Sequence, residues 1–104
     1  MTVEEYFSLT EQEKISKCQI LCMYEDEDRE IFNKVEELFL SKFSHLTSIE
    51  KVKCGMAPML GPYNCIKVFI PKSQKRVSLP KYFEGFPTFK ILESQYKTYK
   101  ILLA

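Results

Sequence analysis

The stretch Lys51-Val52-Lys53-Cys54-Gly55-Met56, followed by Cys65-Ile66-Lys67-Val68-Phe69-Ile70, decides the fold class, because there the hydrophobic period of the chain switches from 3.6 to 2. Alternation of Lys with Val and Cys predicts a half-buried strand over 51–56. A second strand, over 65–70, carries Ile66, Val68 and Ile70 on one face, and Gly61-Pro62 marks the turn between the two. Side-chain faces set the expected register. Pairing Met56 with Val68 puts Cys54 opposite Ile70, aligns both apolar faces and leaves residues 60–64 as the loop. A one-residue shift would set Lys53 against Ile70 instead.

Upstream, the pattern is helical. Thr2 with Glu5, and Thr10 with Glu13, have capping-box spacing, in which the hydroxyl takes an orphan helix N–H and the carboxylate reaches back. The first pair predicts a short helical turn over Val3 to Leu9. The second predicts a helix from Glu11 to Met23, with Ile15, Cys18 and Cys22 on one face, Leu21 at its edge and Gln19 interrupting the stripe. Glu25-Asp26-Glu27-Asp28 suits a helix start, where anions meet the positive end of the helix dipole. The helix it opens, Glu27 to Ser44, carries Ile31, Phe32, Val35, Leu38, Phe39 and Phe43 as a wide apolar stripe, with Leu40 as an exception on the polar side.

Downstream, Pro71 to Val77 forms a basic linker. Ser78-Leu79-Pro80 has the pattern of a helix cap with Pro in the first turn, predicting a short helix ended by Gly85. Thr88 to Leu92 and Tyr96 to Leu103 are two further strand candidates. The expected fold is a single α+β domain over residues 1–104, in two layers, with two N-terminal helices packed on a mainly antiparallel sheet of about four strands.

Composition supports a folded domain. The chain has 104 residues, 45% hydrophobic and 28% charged, which excludes disordered and low-complexity classes. No apolar run approaches the roughly 18 residues of a membrane helix, and the N-terminus lacks the basic start and apolar stretch of a signal peptide, so a cytoplasmic protein without membrane association is expected. Cys18, Cys22, Cys54 and Cys65 are then free thiols of a reducing compartment, acting as small buried hydrophobes.

Catalytic and metal motifs are missing from the sequence. It has no Gly-rich phosphate loop, no GxSxG and a single histidine, His45. Cys18 and Cys22 are spaced CxxxC, where redox and zinc sites use CxxC. Cys54 or Cys65 with His45 would supply a nucleophile and a base, but no residue is placed to orient the imidazole. Residues 25–28 lack the twelve-position ligand spread of an EF-hand. The expectation is a non-enzyme with no cofactor and no metal.

Charge is segregated. Residues 1–50 hold twelve acids and five bases, a net −7, and residues 51–104 hold two acids and ten bases, a net +8. Three readings stay open: separately solvated faces, self-association of an acidic face with a basic one, and a basic side that binds nucleic acid or an acidic protein. Lys72, Lys75, Arg76, Lys81, Tyr82, Tyr96, Lys97, Tyr99 and Lys100 interleave cations with aromatics and are the candidate contact residues. On a strand Tyr99 would share a face with Lys97, while Tyr96 would share the other with Lys100, which splits the set. The expected function is binding to a protein partner or, as a homodimer, to itself. A single-stranded nucleic-acid-binding module using the same residues is the alternative.

Glu84-Gly85-Phe86-Pro87-Thr88-Phe89-Lys90 resembles the strand of thioredoxin-fold proteins that carries a cis-proline beside the active cysteines. In that family a CxxC pair opens a helix after a first strand. Here two helices come before any strand and Phe43 to Ile49 contains no cysteine, so neither the redox chemistry nor the topology carries over.

Overall fold

Both capping boxes form and start the first two helices. Thr2 and Glu5 exchange side chain-to-backbone bonds of 3.1 Å each and open α1 (Val3–Phe7). Thr10 and Glu13 do the same at 3.0 and 3.2 Å and open α2 (Glu11–Cys18). Accepting these backbone bonds holds the Glu5 and Glu13 carboxyls below the usual carboxylate range. The acidic run starts α3 (Asp26–Phe43), where Asp28 Oδ2 also accepts from the Cys22 N–H at 3.0 Å. The expected stripe of α3 is its buried face: Ile31, Phe32, Val35 and Phe39 are buried, Leu38 and Phe43 pack at the edge, and Leu40 is exposed.

The computed structural model describes residues 1–43, 51–56, 63–71 and 78–92. Four strands follow the helices: β1 (Lys51–Met56), β2 (Asn64–Ile70), β3 (Tyr82–Phe83) and β4 (Phe86–Leu92). They form a sheet of order β1-β2-β4-β3 in which β1 and β3 run antiparallel to their neighbours while β2 and β4 are parallel. The fold is α+β as expected, with a mixed rather than a mainly antiparallel sheet. β4 runs alongside β2 in the same direction, with Ile66 opposite Thr88 and Ile70 opposite Leu92. β2 is buried on both faces, Cys65 and Lys67 included, with Phe69 partly exposed.

Three further details depart from the sequence reading. The hairpin pairs Met56 with Asn64, Cys54 with Ile66 and Val52 with Val68, a slide of four residues that keeps the same faces together. Helix α2 stops at Cys18 instead of Met23, so Cys22 lies outside the helix and is exposed while Cys18 is buried. The helix expected before Gly85 is instead the β3–β4 hairpin. In keeping with the sequence reading, which does not carry over the cis-proline family, the peptide bond before Pro87 is trans, and the residue sits at the start of β4 opposite Tyr82. The strand candidate at 96–103 and the linker residues 72–77 lie outside the described residues.

Core packing joins the helices to one sheet face. Val52, Cys54, Ile66, Val68, Ile70, Phe83 and Phe86 meet Tyr6, Ile31, Phe32, Val35 and Phe39. Phe32 stands edge-on to Phe86 at 5.4 Å between ring centroids, and Phe39 edge-on to Phe83 at 5.2 Å. No helix among the described residues is long and apolar enough to cross a membrane.

The β3–β4 turn has positive φ at both central residues, 49° at Glu84 and 85° at Gly85, the two-residue turn whose twist matches that of paired strands. A Cβ on Gly85 would stand 2.6 Å from the backbone carbonyl carbon of Lys14, so both conformation and space demand glycine. Gly85→Ala should therefore lower the unfolding free energy by about 3 kcal/mol or more in urea titration. A loss below about 1 kcal/mol would show that α2 does not press on this turn.

Candidate interaction surface

Side chains of α1 and α2 hold the Glu84-Gly85 turn from three directions. The Tyr6 hydroxyl donates to the Glu84 carbonyl at 2.5 Å, the Lys14 ammonium meets Glu84 Oε2 at 2.6 Å, and the Cys18 thiol donates to the Gly85 carbonyl at 2.9 Å. The far end of α2 is fixed to the start of β2. The Gln19 carboxamide pairs with the Asn64 backbone, donating to its carbonyl at 2.7 Å and accepting from its N–H at 3.0 Å, as a neighbouring strand would. Asn64 Nδ2 in turn donates to the Cys18 and Leu21 carbonyls at 2.6 and 2.9 Å. The Cys18 carbonyl closes the last turn of α2 and that of Leu21 follows in the loop, so Asn64 satisfies backbone acceptors that the ended helix leaves open.

Lys14 and Glu84 also act on the charge pattern. Lys14 is one of five bases in the acidic half, and Glu84 is the only acid among the described residues of the basic half. Their ion pair crosses the two layers with Lys14 91% buried, so each half loses a charge of its minority sign from the surface. On the helices Glu4, Glu11, Glu27, Glu30 and Glu37 are exposed, as is Glu25 just before α3. Of the exposed helix cations, Arg29 is paired with Asp26 at 2.7 Å and Lys34 with Glu37 at 3.5 Å. On the sheet Lys53, Lys81 and Lys90 are exposed.

Two of the nine contact residues read from the sequence are described. Lys81 is exposed with its ammonium 5.7 Å from the ring centroid of Tyr82, which is half-buried in β3. The structure thus brings one cation–aromatic pair together at the sheet edge. Lys72, Lys75, Arg76, Tyr96, Lys97, Tyr99 and Lys100 lie outside the described residues, as does His45. The sequence reading missed the Lys14–Glu84 pair and the Gln19–Asn64 clamp. Gln19 breaking an apolar stripe, and Asn64 opening an otherwise apolar strand, were the local signals for the clamp. It also missed Ile20, Tyr24 and Tyr63, large apolar side chains left exposed.

The thiols are chemically quiet. Cys18, Cys54 and Cys65 are buried and free, and Cys22 is exposed. Burial pushes the Cys18 thiol up, pushes Cys65 up to about 11, and holds Cys54 well above the ordinary thiol range with the Glu36 carboxylate adding to the effect. Burial likewise raises the Tyr6 hydroxyl, which stays a hydrogen-bond donor. Among the described residues no group of three or more His, Cys, Asp or Glu side chains converges to hold a metal.

These raised values set a pH dependence. Below the ordinary thiol value of 9.0 both folded and unfolded chains are protonated, and stability is fully present. From there up to about 11 for Cys65 the unfolded chain loses its proton first, so stability falls. Each thiol contributes at most about 1.4 kcal/mol per pH unit. Urea midpoints should drop between about pH 9 and 11 at constant ionic strength, and less steeply in Cys65→Ala. A flat profile over that window would contradict the burial of these thiols. Set against models of known protein families, curated proteins and solved structures, the chain has no significant match in any of the three.

Proposed function

We propose that this domain is a non-catalytic protein-binding module that docks through complementary charge around an apolar centre. Charge segregation carries the reading: −7 in the first half, +8 in the second, with the Lys14–Glu84 pair withdrawing a minority charge from each. Such a field raises encounter rates and fixes orientation, while buried apolar contacts hold the complex. The contact residues of this proposal are Lys72, Lys75, Arg76, Lys81, Tyr82, Tyr96, Lys97, Tyr99 and Lys100. Protonated, buried thiols that serve packing support a binding role over nucleophilic chemistry. A reducing, cytoplasmic setting belongs to the same proposal, supported by four thiols that are all free.

The second reading is a single-stranded nucleic-acid-binding module, favoured by the Lys81 ammonium held beside the Tyr82 ring. Size-exclusion chromatography with light scattering at low and high salt, read at the nucleic-acid and protein absorbance maxima, separates the two. With six Tyr and no Trp the protein absorbs weakly, so bound nucleic acid would dominate the signal. The protein-binding reading predicts a protein-only complex at low salt that separates at high salt. Reversing Lys75, Arg76 and Lys81 to Glu should weaken it at least tenfold, with unfolding free energy changed by no more than about 1 kcal/mol. Unchanged association in that triple variant would remove the basic surface, and a co-eluting nucleic acid would favour the second reading.

A further inference from the structure

Because α2 ends at Cys18, residues 19–25 become a loop across the ends of β1 and β2. Gln19 and Leu21 bond to Asn64, and the Met23 thioether methyl lies 3.5 Å from the position a Cβ on Gly55 would take. This brings Ile20 and Tyr24 to the end of the sheet where Tyr63 precedes β2. They are 70%, 76% and 49% exposed, although each is large and apolar. Directly beyond Tyr24 the chain enters its most acidic run, with Glu25, Asp26 and Glu27 all exposed. Exposed apolar side chains beside an acidic run have the composition of a docking patch, and a partner that matches them offers apolar groups among cations.

We infer that the Ile20–Tyr24–Tyr63 patch docks the basic half of a second copy of this chain. The inference rests on the protein-binding reading and names the partner. Charge complementarity supports a second copy, since the two halves of this chain carry nearly equal and opposite charge. Exposed Lys81 beside the Tyr82 ring is the kind of cation–aromatic surface that the acidic, apolar patch accepts. A two-fold arrangement lets each copy give its patch and receive the other's, so one closed dimer uses both surfaces twice.

Cys22 reports on the contact without any substitution. It lies between Ile20 and Tyr24 and is the one exposed thiol of the four. The test follows the rate at which an aromatic disulfide reagent modifies Cys22 in the intact protein, from micromolar to near-millimolar concentration, with mass by light scattering at low and high salt. At low salt and high concentration the mass should double and Cys22 should react at least tenfold more slowly, both effects reversing in high salt. Ile20→Ser combined with Tyr24→Ser should weaken dimerisation at least tenfold, and its urea midpoint should match the parent because both positions are exposed.

A dimer in which Cys22 reacts at the monomer rate would overturn the patch as the interface and leave docking through charge standing. A monomer at every concentration would overturn the second copy as partner. The protein-binding reading then falls as well only if the Lys75, Arg76 and Lys81 reversal leaves every co-purifying protein bound.

Discussion

Helix α2 is clamped to the sheet at two places, and the arrangement of the described structure depends on that clamp. At one, Lys14 and Cys18 hold the Glu84-Gly85 turn, against which the helix backbone packs with no space for a Cβ. At the other, Gln19 and Asn64 exchange amide bonds as strands do. Together these contacts fix where the helix stops, seat it against β4, and send the following loop over the ends of β1 and β2. The position of α3 follows, since Asp28 near its start accepts from Cys22 in that loop.

Buried ion pairs seldom add much stability, because removing both charges from water costs about as much as their attraction returns. Lys14–Glu84 has a second effect. It gathers one base from the acidic layer and one acid from the basic layer, which makes the outer faces more uniform in sign. The Lys14 ammonium also lies 5.2 Å from the Phe7 ring centroid, so its buried stem and charge are both used. The same contact thus serves the fold and, on the proposed reading, the field through which the protein would meet a partner.

What the sequence reveals here is what local chemistry controls. The capping boxes of Thr2 and Thr10 lie within four residues, and the stripe of α3 repeats from Ile31 to Phe43, so helix starts and the buried face are legible. Alternation fixed the faces of β1 and β2 but is blind to even-numbered slides, which is why the register was displaced by four residues. The β3–β4 hairpin was hidden because Ser78-Leu79-Pro80 imitates a helix cap, while Glu84 is an uncommon residue for positive φ, where Asn or Asp would have announced the turn. The early end of α2 coincides with a bond from Asn64, 46 residues beyond the Cys18 carbonyl, and although Gln19 and Asn64 each break an apolar pattern, neither shows locally that the two segments meet. The exposed patch was missed for the same reason. While the helix was drawn to Met23, Cys22 belonged to a buried face. Once the helix ends at Cys18, Ile20 and Tyr24 stand in a loop at the surface.

The proposed reading comes down to one point: the domain would present two surfaces of opposite charge that recognise each other between copies. Amide chemical shifts of uniformly labelled protein, followed through dilution at low salt, test it most directly because they map both surfaces in one experiment. The account predicts that resonances of Ile20 to Tyr24 and Tyr63 move together with those of Lys81 and Tyr82, along one binding curve that high salt abolishes. Spectra independent of concentration, or shifts confined to the buried α3 face or to one of the two surfaces, would contradict it.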